Sequence, residues 1–337
     1  METKILLNKL VDGNDLLQKE ASFLLEQIIA GKLTSAQIAG ILVALRSKGE
    51  SVEEIVGFIQ TMRKHMLKIH APLSIDIVGT GGDEQGTFNI STASSFVVAG
   101  GGIKVAKHGN RAASSKCGSA DVLESLGVNI NLTPNQAEKV FKKVGMVFLF
   151  APLYHPAMKQ IGPVRKELGL RTIFNFLGPF LNPAGTKKQI LGVASITLAE
   201  KLSRVATKLN FEHLFLISSP DGMDEITTTG KTHIFEIKGS NIKSYSVSPK
   251  LLGVKQATKK DLMGKDAIEN AEIIKFVLQG EKGPRRDIVV LNAAAAFYLA
   301  GKVKDIKEGI KMAEKSIDSG AAMQILNKLR EETQKYA

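Results

Sequence analysis

The run Ser74-Ile75-Asp76-Ile77-Val78 has the length and β-branched content of a buried strand, and it ends directly in Gly79-Thr80-Gly81-Gly82-Asp83. Glycines at a strand end mark a backbone that approaches something closely or takes φ > 0, and Asp83 sets a carboxylate in the bend. A polar turn leads on to Asn89-Ile90-Ser91-Thr92, where Ser91 or Thr92 is placed to cap a helix over residues 93–99. The free N–H groups and positive dipole end of that helix face the same space as the glycine turn, which suits a phosphate. Taken alone, the pentapeptide also fits a plain structural turn.

A second unit of the same kind follows. Ile103-Lys104-Val105-Ala106 is strand-like and runs into Lys107-His108-Gly109-Asn110-Arg111, after which a Ser-rich turn reaches Gly118-Ser119-Ala120-Asp121. Lys107, a cation just past a strand end beside Gly109, is placed to pair with a phosphate as a point charge; a surface lysine is the other reading. Two strands thus end in loops rich in glycine, hydroxyls and cations. The motifs GTGGD, NIST, KHGNR and GSAD, in this order and spacing, resemble those of the anthranilate phosphoribosyltransferases.

That resemblance implies binding of 5-phosphoribosyl 1-diphosphate (PRPP) by Gly79, Gly82, Asp83, Thr87, Asn89, Ile90, Ser91, Thr92, Lys107, His108, Gly109, Asn110, Arg111, Ala112, Ala113, Ser114, Ser115 and Ser119. It implies an anthranilate site made by Gly79, Asn110 and Arg165, with Pro179 as part of the wall. Guanidinium suits the anthranilate carboxylate because it donates two parallel hydrogen bonds. Cys117 and Ala112-Ala113 fall where hydroxyl-rich or variable loop residues are expected, which bears only on fine phosphate contacts. His108 is a candidate proton acceptor and equally a loop histidine bonded to backbone.

A third strand-like run, Leu214-Phe215-Leu216-Ile217-Ser218, ends in Ser219-Pro220-Asp221-Gly222-Met223-Asp224-Glu225. Adjacent carboxylates in such a loop are either an acidic turn or ligands for a hard cation, and with no dense Cys or His cluster nearby the cation indicated is Mg²⁺. The resemblance implies that Asp224 and Glu225 are metal ligands and that Ser91 serves a second ion, giving two Mg²⁺ per subunit.

With 337 residues the chain is long enough for about two domains, and its 44% hydrophobic and 23% charged content is that of a globular protein. Up to about residue 70, apolar residues recur at three- and four-residue steps (Leu16, Leu17, Phe23, Leu24, Leu25, Ile28, Ile29), and Thr34, Ser35 and Ser51 are helix caps. Thereafter strands are expected at 75–78, 103–106, 146–150, 189–193, 214–218 and 288–291, with helices between most of them, for example at 121–126 and 135–144. Alternation of this kind predicts an α/β fold, a mainly parallel central sheet flanked by helices, with ligands beyond the carboxyl ends of the strands. Residues 152–183, broken by Pro156, Pro163, Pro179 and Pro183, read as an insertion of short helices. The resemblance implies that the insertion joins the N-terminal helices. The expected division is therefore a smaller all-α domain of residues 1–70, joined in space by about 153–183, and a large phosphoribosyl-binding domain of 71–152 and 184–337. The resemblance also implies a homodimer through the small domain.

The formal charge of +12 favours anionic ligands, without choosing between a phosphorylated metabolite and nucleic acid. Lys-rich patches near 255–265 and 302–311 read as solvated faces. The single cysteine, Cys117, excludes an intramolecular disulfide framework. The N-terminal stretch has charges within its short apolar run, and no apolar run of about 18 residues occurs, so neither leader nor anchor is expected and a cytoplasmic location follows. Two other functions share these features. A pyrimidine nucleoside phosphorylase of the same architecture needs no metal-held diphosphate, against which Asp224-Glu225 stands. A non-catalytic basic homologue that binds nucleic acid is motivated by the charge, but the chain has no Trp and only four Tyr for a stacking surface.

Overall fold

The computed structural model describes residues 2–81, 85–112 and 116–337. It opens with helices α1 (Thr3–Val11), α2 (Gln18–Ile29), α3 (Ser35–Lys48) and α4 (Val52–His65). Thr34 and Ser51 cap α3 and α4 as their sequence positions predict, each accepting from the backbone N–H three residues on; Ser35, the other expected cap, is the first helical residue of α3. The chain then alternates through β1 (Ile75–Gly79), α5 (Ile90–Gly100), β2 (Val105–Gly109), α6 (Ser119–Ser125), α7 (Pro134–Val144) and β3 (Met146–Phe150). Short helices α8 (Ala151–Tyr154), α9 (Met158–Leu168) and α10 (Phe174–Leu177) follow, with a 3₁₀ turn at Gly178–Leu181. The remainder is β4 (Lys188–Gly192), α11 (Ile196–Thr207), β5 (His213–Ser218), β6 (Thr232–Lys238), β7 (Asn241–Val247), α12 (Pro249–Leu252), α13 (Ala267–Leu278), α14 (Pro284–Ala300), α15 (Ile306–Asp318) and α16 (Ala321–Gln334).

The strands form one sheet in the order β3-β2-β1-β4-β5-β6-β7, parallel from β3 to β5 and antiparallel beyond. Both faces are covered, which explains the near-continuous apolar strands. On β5, Phe215 and Ile217 face a core shared with α5 and α14, while Leu214 and Leu216 face a second core shared with α11. That second core continues without a break into α1–α4 and the 157–181 segment, where Phe58 meets Phe174 with ring centroids 5.9 Å apart. The proline-broken insertion therefore packs on α2 and α3 through α9.

Two expectations need correction, and one element was unforeseen. Ile288–Leu291 is not a strand but part of α14. A run of four apolar residues does not by itself distinguish helix from buried strand, and here Pro284 at the first helical position and the Ala-rich continuation to Ala300 decide for a buried helix. The helix after the first glycine turn begins at Ile90 with Asn89 at its N-cap position, so Ser91 and Thr92 lie inside its first turn and do not cap it. The antiparallel hairpin β6–β7 was not expected from the sequence, although Thr232–Lys238 alternates and Gly239, at φ 60°, makes the tight turn. No helix among the described residues is long and apolar enough to cross a membrane.

Candidate active site

β1, β2, β4 and β5 all deliver their carboxyl ends to one edge of the sheet, and the register sets Gly79 beside Gly192 there. The 219–225 loop folds down onto both strand ends. A Cβ at Gly79 would run into the Asp224 carboxylate, and one at Gly192 into the Asp224 backbone, so both positions require glycine for the loop to lie this close. Glu225, only 9% exposed, accepts from the Ser91 backbone N–H at 3.1 Å. The metal-candidate carboxylates and the start of α5 are thereby in direct contact.

Lys107 lies beneath them. It is 1% exposed, and its ammonium donates to the Ile77 carbonyl at 2.6 Å and to Ser91 Oγ at 3.2 Å. Burial pushes its pKa down, opposed by the fields of Asp76, Glu225 and Asp224. Asp76, fully buried on β1, accepts from Asn182 Nδ2 at 2.8 Å and from the His108 N–H at 3.4 Å. Burial raises its carboxyl to about 6, although Lys107 and these hydrogen bonds pull it back. Asn182 also donates to the Ala106 carbonyl, tying the return of the insertion to β1 and β2. Lys107 is thus a buried charge at the base of the site, not a surface lysine.

His108 points to the other side of β2. Its Nε2 lies 3.1 Å from Nε2 of His155, so one ring donates to the other and at least one nitrogen of each is engaged. Burial, and next the neighbouring His155, push His108 well below the ordinary imidazole range; burial lowers His155 to about 4. Both rings are neutral near pH 7, which makes His108 a weak proton acceptor.

The other expected residues divide into groups. Asn89 is a strut: its amide donates to the Cys117 carbonyl at 3.2 Å and its Oδ1 accepts from Asn270 at 3.1 Å, holding the two loops together. Thr87 pairs with Met263 in an isolated β-bridge, Ile90 is buried, and the buried hydroxyl of Thr92 has no partner among the described residues. Ser119 packs against Gly109, where no Cβ would fit, and donates to the Asn110 carbonyl at 3.4 Å. Asp121 closes this loop, accepting from the N–H groups of Ala112 and Gly118, each at 2.9 Å. Arg111 turns away from Lys107 to Glu124 and Asp121, which raise its pKa. Gly82, Asp83, Ala113, Ser114 and Ser115 lie outside the described residues.

Arg165 stands on α9. Its Nη2 donates to Asn175 Oδ1 at a long 3.4 Å, its guanidinium lies 5.7 Å from the Phe174 ring centroid, and its buried Nε has no partner among the described residues. Burial lowers its pKa. A half-buried guanidinium with a buried, unsatisfied Nε is costly unless an acceptor arrives. Pro179 follows Gly178, whose backbone bonds His108, and its own carbonyl accepts from Gln189 at 2.8 Å. Arg171 links the same segment to the first loop by donating to the Gly81 carbonyl at 3.3 Å.

Asp76, His155, Arg171 and Asn182 were missed in the sequence. A carboxylate within an apolar strand was the available signal for Asp76; the others are single residues in loops whose partners lie far away in the chain.

The sequence matches two family models, a glycosyl transferase family helical bundle domain over residues 4–66 and a glycosyl transferase family a/b domain over residues 71–323. It is 49% identical over 332 residues to an anthranilate phosphoribosyltransferase of Acetivibrio thermocellus, covering 98% of this chain and 96% of the relative. The chain belongs to the anthranilate phosphoribosyltransferase family. The enzyme of that name from Thermus thermophilus superposes with a TM-score of 0.92 at 38% identity, over 99% of this chain and 100% of the other. The Saccharomyces cerevisiae anthranilate phosphoribosyltransferase in complex with PRPP and Mg superposes with a TM-score of 0.91 at 30% identity, over 99% of each chain.

Proposed function

We propose that this chain transfers the phosphoribosyl group of PRPP to the amino group of anthranilate, giving N-(5-phosphoribosyl)anthranilate and diphosphate, a step of tryptophan biosynthesis. The observation that carries this reading is the buried Lys107 bonded to Ser91 Oγ, with the Ser91 backbone N–H donating to Glu225, at the carboxyl edge of the sheet. Around it the loops of Gly79–Asp83 and Lys107–Ser119 hold the phosphates of PRPP, and Arg165 takes the carboxylate of anthranilate, with Gly79 and Asn110 beside it.

The donor set fits Mg²⁺. Asp224 and Glu225 offer carboxylate oxygens and Ser91 a hydroxyl, but no group of three His, Cys, Asp or Glu among the described residues makes a metal cage. An ion held by one or two carboxylates that completes its shell with water and substrate oxygens matches that set. Two ions per subunit are proposed, one at Asp224 and Glu225 and a second at Ser91. Bound there, Mg²⁺ supplies Lewis-acid stabilisation of the diphosphate leaving group.

The amine nitrogen attacks the anomeric carbon with inversion as the C–O bond to diphosphate breaks, and the proton that the nitrogen then sheds passes to the departing diphosphate or to water. An aryl amine is neutral at pH 7, and His108 is a poor base in its buried pair with His155, so the residues contribute chiefly by positioning and by electrostatic stabilisation of departing charge. Residues 1–70 with about 153–183 form a small domain, 71–152 and 184–337 the large one, and the small domain makes a homodimer contact. The cytoplasm is the proposed location. Consumption of anthranilate fluorescence only when PRPP and Mg²⁺ are both present tests the reading. No turnover with anthranilate, alongside phosphorolysis of thymidine or uridine, would overturn it in favour of a phosphorylase. Salt-dependent nucleic-acid binding without turnover would overturn it in favour of a binding module.

A further inference from the structure

A second polar recess lies at the opposite edge of the sheet, where the chain crosses twice between the N-terminal helices and the strands. It encloses about 330 Å³, within the range of small-molecule sites, and its polar lining is Arg63 at the end of α4, Lys68 in the outgoing connection, and Thr186 and Lys187 in the return. Lys187 immediately precedes β4, whereas Asp224 packs on the last residue of that strand. The recess and the candidate active site are therefore separated by the full length of a five-residue strand, roughly 16 Å.

No acidic residue lines the recess, and among the described residues Arg63, Lys68 and Lys187 form no ion pair. Nearby cations behave differently: Lys64 pairs with Glu26 and Lys208 with Glu53, each at 2.8 Å. Arg63 is also held in place. Its Nε donates to the Phe180 carbonyl at 2.8 Å and its guanidinium lies 5.7 Å from the Phe211 ring centroid, while its terminal Nη groups have no protein partner among the described residues. Burial lowers its pKa to about 10, so it stays charged at neutral pH without a carboxylate to offset the desolvation. Thr186, 7% exposed, adds a buried hydroxyl with no partner among the described residues. A fixed fork of donors, two exposed ammonium groups and no competing carboxylate is a receptor for a tetrahedral oxyanion.

We propose that this recess binds a phosphate dianion, either free or as the phosphomonoester of a small metabolite. The occupant bridges both chain crossings, which already touch where the Ile69 N–H donates to the Pro183 carbonyl at 3.1 Å. The proposal is independent of the transferase reading, since none of its residues belongs to that site.

Equilibrium dialysis of the intact chain against labelled inorganic phosphate, and separately against glycerol 3-phosphate, tests it. Lys68→Gln/Lys187→Gln is the variant, because both side chains are at the surface and Arg63 is also a packing residue; Lys302→Gln/Lys304→Gln is the charge-matched control. The expected result is a binding class weakened at least tenfold in the first variant and retained in the control, with turnover in phosphate-free buffer within about twofold of wild type. Tighter binding of glycerol 3-phosphate assigns a phosphomonoester, and equal or weaker binding assigns free phosphate; either supports the site. Superimposable isotherms for wild type and the Lys68/Lys187 variant would overturn it, as would an equal loss in the control, which marks a general charge effect.

Discussion

Lys107 and Arg165 are both partly or wholly buried cations, but the regions that hold them are built on opposite principles. Lys107 rises from a parallel strand, is engaged by the Ile77 carbonyl and Ser91, and sits in the field of three carboxylates. Arg165 stands on a helix with a proline inside it, makes one long hydrogen bond and keeps a buried Nε without a partner among the described residues. The cation of the first region has its partners before any ligand arrives; that of the second still lacks one. Electrostatics at the sheet edge are therefore preorganised, which under the proposed assignment is where stabilisation of a departing diphosphate gains most, while the proposed acceptor side leaves its energy to be released on binding.

Breaking the first region should have the largest effect, and it should reach stability as well as rate. Lys107→Met keeps the volume and leaves Asp76 buried without its cation. Asp76, already raised to about 6, is then neutralised by protonation, so the expected cost, set by the acceptors Ile77 and Ser91 losing their donor, is about 1–3 kcal/mol of stability at pH 7, with a loss of roughly a hundred- to a thousandfold in kcat/KM. Urea unfolding with steady-state kinetics checks this, and a wild-type unfolding midpoint would show that Lys107 is not held by these acceptors.

Next in size is the pair at the tip of the same region. Asp224→Asn/Glu225→Gln preserves shape and removes two charges, so the fold should survive while activity falls roughly a hundredfold and is restored only in part by raising Mg²⁺. Rate against Mg²⁺ is the measurement. Curves that superimpose on wild type with the same maximum would reduce Asp224-Glu225 to an acidic turn.

The contrast between the two regions also explains what was legible in the sequence. Gly79 closes β1 and Asp224-Glu225 lie in the loop beyond β5, so apolar runs locate them and the carboxyl-edge rule brings them together; Lys107, expected just past a strand end, lies inside β2, because the ladder with β3 continues to Gly109. Arg165 was identified only through resemblance, because nothing local in Gly162-Pro163-Val164-Arg165 shows which loop it faces. Asp76, Asn182 and His155 escaped because their roles come from contacts between segments as much as 106 residues apart. Ile288–Leu291 misled for a different reason: β-branching favours strands, but burial on α5 and β4 within a long Ala-rich helix overrides it.

Arg165→Ala sharpens the comparison from the ligand side. It removes the proposed carboxylate partner and spares the phosphate loops, so anthranilate efficiency should fall by about 1.5–3 kcal/mol, roughly ten- to a hundredfold. PRPP affinity should change little. Thermal stability should hold or rise slightly, since an unsatisfied buried donor goes with the side chain. Arg165→Lys should restore part of the loss, having a charge but no planar fork. A loss confined to PRPP would move the acceptor site elsewhere.

The smallest effect tests the joint between the regions, His108 on β2 against His155 at the start of the insertion. His155 has a folded pKa of about 4 against an ordinary 6.5, so its contribution to stability is fully present above the ordinary value and is lost as pH falls through 4. Asp76 works in the other direction: its folded value, raised from 3.8 to about 6, contributes stability present below 3.8 and lost as pH rises through 6. The two oppose each other across the same window, while His108, depressed as well, adds to the rise of stability with pH. His155→Gln removes one of them and also relieves His108, whose depression has His155 as its second cause. The substitution should therefore cost more at pH 7.5 than at pH 4.5, by about 2 kcal/mol. Unfolding free energies of wild type and variant at both pH values give the difference directly. An equal cost at the two pH values would mean that His155 is not held neutral by burial, and that the joint between sheet and insertion is open to water.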